Sequence, residues 1–119
     1  MSTKVHLLVE LSIHEGKIDD FQKIGEEMVA LTGNEPGSLA YEWCLSSGRR
    51  RCLVVEMYQH DDAVMTHLNG SVVKDLLPKL LQHARIDRLE VFGNPSPNVA
   101  ALLSGFGAEI FPLWRGLGR

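Results

Sequence analysis

No apolar run in this 119-residue chain is long enough to cross a bilayer. Positive charge is in short supply as well. Twelve Lys and Arg stand against fifteen Asp and Glu, a net charge of −3, so the basic face that nucleic-acid binding needs is missing. The single basic run, Arg49-Arg50-Arg51, falls at a hairpin tip and reads as a solvated turn. There is no CxxC, no HExxH and no phosphate-cradling glycine loop. His6, His14, His60 and His83 are scattered without ligand spacing, so no metal site is expected. Cysteine is limited to Cys44 and Cys52. Strand pattern begins at Val5 with no signal-peptide pattern ahead of it, so a cytoplasmic location and reduced, half-buried thiols are expected. Spacing alone would still permit a pair, because a bend near Ser47-Gly48 sets the two cysteines roughly opposite each other.

What is present is the patterning of one domain with a real core. Val5, Leu7, Val9, Leu11 and Ile13 alternate with His6, Leu8, Glu10 and Ser12, the period of a strand. From Lys17 to Thr32 the residues Ile18, Phe21, Ile24, Met28 and Leu31 recur at helical spacing. Gly25 weakens that helix, and a close approach to the sheet would explain it. Gly33-Asn34-Glu35-Pro36-Gly37 reads as a helix stop and a turn. Tyr41–Tyr58 is then a β-hairpin bent at Ser46-Ser47-Gly48. Within it, Tyr41, Trp43, Leu45, Leu53, Val55 and Met57 are assigned to the helix-facing side. Glu42, Cys44, Cys52, Val54, Glu56 and Tyr58 are assigned to the other.

Asp61 and Asp62 suit a helix N-terminus, and Asn69-Gly70 ends that helix. Ser71 is placed as the cap of a second helical piece, Val72–Ala84, kinked by Pro78. Ile86–Phe92 reads as the last strand of the sheet. Ser96 and Pro97 start a short helix over Val99–Leu103, and Ala108–Leu113 is a candidate edge strand limited by Pro112. Trp114 is expected to pack on this subunit or on a partner. The order predicts an α+β, ferredoxin-like βαββαβ fold with a four-stranded antiparallel sheet. Residues 1–94 would form that domain and residues 95–119 a C-terminal extension. The uncovered sheet face, assigned Leu8, Val54, Ile86 and Phe92 among His6, Glu10, Glu42, Glu56, Arg88 and Glu90, is too apolar for water. A homodimer through that face is expected, with Arg88 and His6 meeting carboxylates.

Four segments together resemble the antibiotic-biosynthesis monooxygenase family of dimeric α/β barrels. They are Glu35-Pro36-Gly37, Tyr41-Glu42-Trp43, Val54-Val55-Glu56-Met57-Tyr58, and Asp61-Asp62-Ala63-Val64 running to His67-Leu68. The likeness covers Val5 to about Phe92. It implies cofactor-independent oxygenation of an electron-rich phenol or quinol to a quinone, with O2 as co-substrate and the substrate held between sheet and helices. The polyketide-oxidising members carry an asparagine, a tryptophan and a tyrosine where this chain has Val54, Tyr58 and Val64. The haem-degrading members carry an asparagine and a histidine that fall here at Val9 and near Leu77. The quinol monooxygenase group is the better match.

Under that resemblance His67 is the candidate base, with an imidazole able to titrate near neutrality, and Tyr58 the group that positions a substrate oxygen. Each has an ordinary alternative: a half-exposed helix histidine, and a packed tyrosine on the dimer side. Trp43 and Tyr41 would wall the pocket or simply fill the core. Glu56 would act as a pocket carboxylate or in an interface ion pair. An isomerase without oxygen chemistry, or a small-molecule-binding dimer without catalysis, would use the same scaffold.

Overall fold

The computed structural model describes residues 3–118. Met1, Ser2 and Arg119, the ends of the two expected segments, lie outside the described residues. Strand β1, Val5–Ile13, buries Val5, Leu7, Leu11 and Ile13 on one side, as its alternation requires. Helix α1, Ile18–Thr32, buries Phe21, Gly25 and Met28, while Ile18, Ile24 and Leu31 pack around them. Gly25 marks a close approach to the sheet, because a Cβ there would lie 2.9 Å from the Trp43 ring.

Strands β2, Ser38–Leu45, and β3, Arg51–Tyr58, form the hairpin. Its register pairs Tyr41 with Glu56, Trp43 with Val54 and Leu45 with Cys52. Residues directly opposite share a face, so odd positions of β2 lie with even positions of β3. The expected assignment of β3 is therefore reversed. Cys52, Val54, Glu56 and Tyr58 are buried under the helices, and Leu53, Val55 and Met57 face outward. The cause is the turn. Ser46 and Arg51 are joined by a backbone hydrogen bond, which leaves four residues at the bend, and an even-length loop switches parity between strands. The cysteines follow suit. Cys44 is exposed, Cys52 is buried, and they stand one step out of register on opposite faces.

Helix α2, Asp61–Asn69, starts at His60, whose Nδ1 accepts the Ala63 N–H at 3.2 Å. Ser71 does not cap the next piece; its backbone is already helical. A widened π-helical turn spans Val72–Leu76, with the Leu77 N–H bonded to the Val72 carbonyl. Pro78 has no N–H to continue the ladder, and the short helix α3, Leu77–Leu80, is all that follows. Strand β4, Ala84–Gly93, is longer than expected. Its register with β1 shifts between Glu10 and Leu11, and this bulge turns Ile86 toward the helices rather than the open face. Helix α4, Pro97–Gly105, is capped by the Ser96 hydroxyl accepting from Val99 N–H.

The last strand, β5, Glu109–Phe111, pairs with β4 in parallel. The sheet is thus five-stranded and mixed, in the order β2-β3-β1-β4-β5, not four-stranded and antiparallel. The α4 crossover carries the chain back along the sheet, so the added strand runs with β4. Val99 and Leu103 of α4 join Val5, Leu7, Tyr58, Val64 and Val91 in one core cluster; a second gathers around Leu11, Phe21, Met28, Val54 and Leu80. Both lie on the helix side. The open face carries Leu8, Leu53, Val55, Met57 and Phe92 among His6, Glu10, Arg88 and Glu90. Arg88 pairs with Glu90 of its own chain, and Arg51 with Glu10. Trp114 is 86% exposed; the Arg115 guanidinium lies over its ring, 5.3 Å from the centroid, and the indole is not buried on this subunit. Among the described residues no helix is long and apolar enough to cross a membrane.

Candidate active site

Three elements converge at the end of the hairpin nearest α2. Gly37 makes the convergence feasible: a Cβ there would meet the Ala63 Cβ at 2.5 Å, so only glycine lets the start of β2 lie against α2. That contact brings Glu35, in the turn after α1, to His67 in the last turn of α2. The Nδ1–H of His67 donates to Glu35 Oε1 at 2.9 Å, and the Ser38 hydroxyl donates to the same oxygen at 2.9 Å. On the other side of the ring, Nε2 stands 4.0 Å from Glu56 Oε1. The Tyr58 hydroxyl donates to that Glu56 oxygen at 2.5 Å. Tyr41 and Tyr58 flank the imidazole, with ring centroids 5.1 and 5.3 Å away.

Glu56 and His67 are both buried, and burial governs their protonation. Loss of solvation raises the Glu56 carboxyl to about 7, with the Tyr58 hydrogen bond opposing the rise and the charge of Glu35 adding to it. Burial pulls the His67 imidazole below its ordinary value, against the opposing pull of Glu35. A neutral ring with its proton on Nδ1 leaves Nε2 as an acceptor directed at Glu56. Burial likewise drives both phenols upward, so Tyr41 and Tyr58 stay protonated. The hydroxyl of Tyr41 faces the Trp43 indole and Thr32, although Trp43 Nε1 and Thr32 Oγ1 have no well-formed partner.

Two cavities flank this cluster on the helix side. The inner one, about 90 Å³, lies between the sheet and the helices and is walled by Leu7, Val9, Leu68, Leu77, Leu89 and Phe106, among others. Glu56 is its one polar lining residue. The larger, about 350 Å³, is an apolar groove between α1 and the hairpin, lined by Phe21, Gly25, Val29, Trp43 and Cys52. Glu26 is the one carboxyl there, on an exposed helix face. The buried carboxyl thus lies on the smaller cavity.

The structure brings His67, Tyr58, Glu56 and Tyr41 together and sets Trp43 one ring further out, 6.0 Å from Tyr41. Glu56 alone of them lines the inner cavity, and His67 and Tyr58 stand behind it. Tyr58 faces the helices, not the open sheet face, which follows from the reversed parity of β3. Glu35 is the residue that sequence reasoning missed. It sits in a segment that reads as a turn, and only the tight Gly37 contact reveals its partner. Among the described residues no group of three His, Cys, Asp or Glu side chains is arranged to hold a metal ion.

The family model described as antibiotic biosynthesis monooxygenase matches residues 4–78. Among solved structures, MupZ from Pseudomonas fluorescens aligns with a TM-score of 0.88 at 20% identity, covering 99% of this chain and 96% of that one. A Nitrosomonas europaea protein provisionally assigned to the antibiotic biosynthesis monooxygenases gives 0.69 at 14% identity, covering 82% and 95%. One from Caulobacter crescentus, with the same provisional assignment, gives 0.66 at 21% identity, covering 76% and 86%. No curated protein matches. At these identities the structural likeness shows the fold.

Proposed function

Because this chain belongs to the antibiotic biosynthesis monooxygenase family, we propose that it oxygenates a small phenol or quinol to a quinone without a cofactor, using Glu56 as the base. The observation that carries this reading is the position of Glu56. It is a buried carboxyl, poised near 7, and the one polar lining residue of the cavity under the helices. A base near the working pH is matched to removing a phenolic proton. The resulting anion gives one electron to O2, and the two radicals join at a ring carbon as a peroxide. Loss of the ring proton from that carbon and cleavage of the O–O bond leave one oxygen on the ring as a carbonyl; the other leaves as water, carrying the ring proton and the phenolic proton that Glu56 had taken. The apolar walls keep bulk water from the radical pair.

Tyr58 acts here on the carboxyl rather than on the substrate, holding Glu56 toward β3. His67, kept in one tautomer by Glu35, supplies an acceptor behind it. The cavity, about 90 Å³, is smaller than one of roughly 150 Å³ that takes a benzene-sized guest, so a ring enters with displacement of Phe106, whose side chain is half exposed. The assembly in this proposal is a homodimer through the open sheet face. Leu53, Val55 and Phe92 are each about two-fifths exposed there, a contiguous apolar surface that a second copy would cover.

A non-redox isomerase is the second reading. It is favoured by the single carboxyl on an apolar cavity wall, Glu56, which could take a proton at one carbon and return it at another, with His67 4.0 Å behind it. Oxygen uptake coupled to quinone absorbance, across a panel of hydroquinones and naphthols, separates the two. Uptake that disappears in Glu56→Gln supports oxygenation. Turnover of a substrate under anaerobic conditions supports the isomerase.

A further inference from the structure

Glu35 belongs to two places at once. Its carboxylate receives the His67 Nδ1–H, and its side chain also lines an outer cleft of about 250 Å³ with Ser38, Gln59, His60, Asp62 and Thr66. Glu56, on the other side of the imidazole, lines the inner apolar cavity. The ring therefore stands between a cleft with a largely polar lining and an apolar cavity, with a carboxyl on each side.

We propose that Glu35, His67 and Glu56 form a proton path joining the outer cleft to the inner cavity. Outward, the Glu56 carboxyl gives its proton to His67 Nε2 while the Nδ1 proton passes to Glu35, which exchanges it with solvent in the cleft. Inward, each transfer reverses. One step closes a gap: Glu56 must turn its oxygen from the Tyr58 hydroxyl toward Nε2 to shorten the present 4.0 Å. Among the described residues, the ionisable groups facing the path are Tyr58 and Glu56 from β3, Tyr41 from β2, His67 from α2, and Glu35 from the turn before β2, with His60 and Asp62 at the cleft. Tyr41 and Tyr58 hold their protons and do not carry them.

The path rests on the reading of Glu56 as the cavity base, and it supplies what that reading needs. Oxygenation of a phenol to a quinone has no net proton output, since the departing oxygen leaves as water. It does need two protons taken in turn, the phenolic one and then the ring one, and moving the first past Glu56 frees that carboxylate for the second. A path that runs out and then back meets this need, and the return leg restores the starting tautomer of His67 without a ring flip.

The test needs no substrate. Time-resolved infrared absorption after a pH jump reads protonation of the Glu56 carboxyl, its band identified by its loss in Glu56→Gln. In Glu35→Gln the amide oxygen still accepts the Nδ1–H, so the ring stays in place, but the group cannot take a proton. The expected result is slowing of Glu56 protonation by about a hundredfold, the order of a lost acid–base group. His67→Gln breaks the same path at its middle and serves if the first variant does not fold. An unchanged rate in a folded variant overturns the path. Slowing in a protein that oxygenates nothing keeps the path and removes the oxygenase; oxygenation with an unchanged rate does the reverse.

Discussion

His67 and Glu56 face each other across 4.0 Å, with the bond from His67 to Glu35 on the far side of the ring. The pair is held apart by the Tyr58 hydroxyl, which keeps the Glu56 oxygen for itself. Each member carries the mark of burial, the acid shifted up and the base shifted down. Both are therefore neutral over an overlapping range of pH, the condition under which a proton can be exchanged between them at small cost.

Stability should show the strain of burying Glu56. Its carboxyl rises from an ordinary 4.5 to about 7 in the folded chain, so the folded state binds this proton more tightly than the unfolded one. The stabilisation is complete below about 4.5 and is lost as pH climbs through 7. The rise corresponds to about 3 kcal/mol. Glu56→Gln, which can still accept the Tyr58 hydroxyl, should remove that loss. Urea unfolding at pH 5 and pH 8 should show wild type weakening between the two relative to the variant, and an equal response would mean that Glu56 is not buried as an acid.

The Gly25–Trp43 contact should tolerate no side chain. A Cβ on Gly25 would sit 2.9 Å from the indole, and crowding in a packed layer typically costs about 1–3 kcal/mol, more than the gain in helix propensity from alanine. Gly25→Ala is expected to lower the denaturation midpoint. A rise would show that the ring can step aside.

The two thiols should differ sharply. Cys44 is exposed, whereas burial pushes the Cys52 thiol up to about 11. A thiol reagent should titrate one group in the native protein and two after denaturation. Rapid modification of both would show that β2 opens at the edge of the sheet.

Much of this was readable in the chain. Strand β1 and helix α1 emerge from unambiguous periods, and the Ser96 cap and the edge strand near Ile110 carry the usual local chemistry. The faces of β3 did not, because both sets of alternating residues contain apolar side chains and the four-residue bend after Ser46 decides which set turns inward. Ile86 changed sides through a bulge that leaves no mark in the sequence. Glu35 was hidden for another reason: its role depends on a partner 32 residues away, and its neighbours Gly33, Asn34, Pro36 and Gly37 account for its surroundings as a turn.

Self-association should depend on the face that the reversed parity makes more apolar. Val55 is 41% exposed at its centre, between outward-facing neighbours on β1 and β2. Val55→Glu should yield a monomer by sedimentation while leaving the far-ultraviolet circular dichroism unchanged. Trp114 emission in the wild type should lose its solvent-exposed character as the protein concentration rises, if the tail also meets the second copy. A wild type of single-chain mass at all concentrations would remove the dimer.

The most direct test of Glu56 as the base is the pH dependence of kcat/KM for oxygen uptake on a hydroquinone that the protein accepts. The account predicts a rise through a single ionisation near pH 7, the value that burial gives the Glu56 carboxyl, and loss of both activity and that ionisation in Glu56→Gln. Full activity in Glu56→Gln with the same pH profile would contradict it.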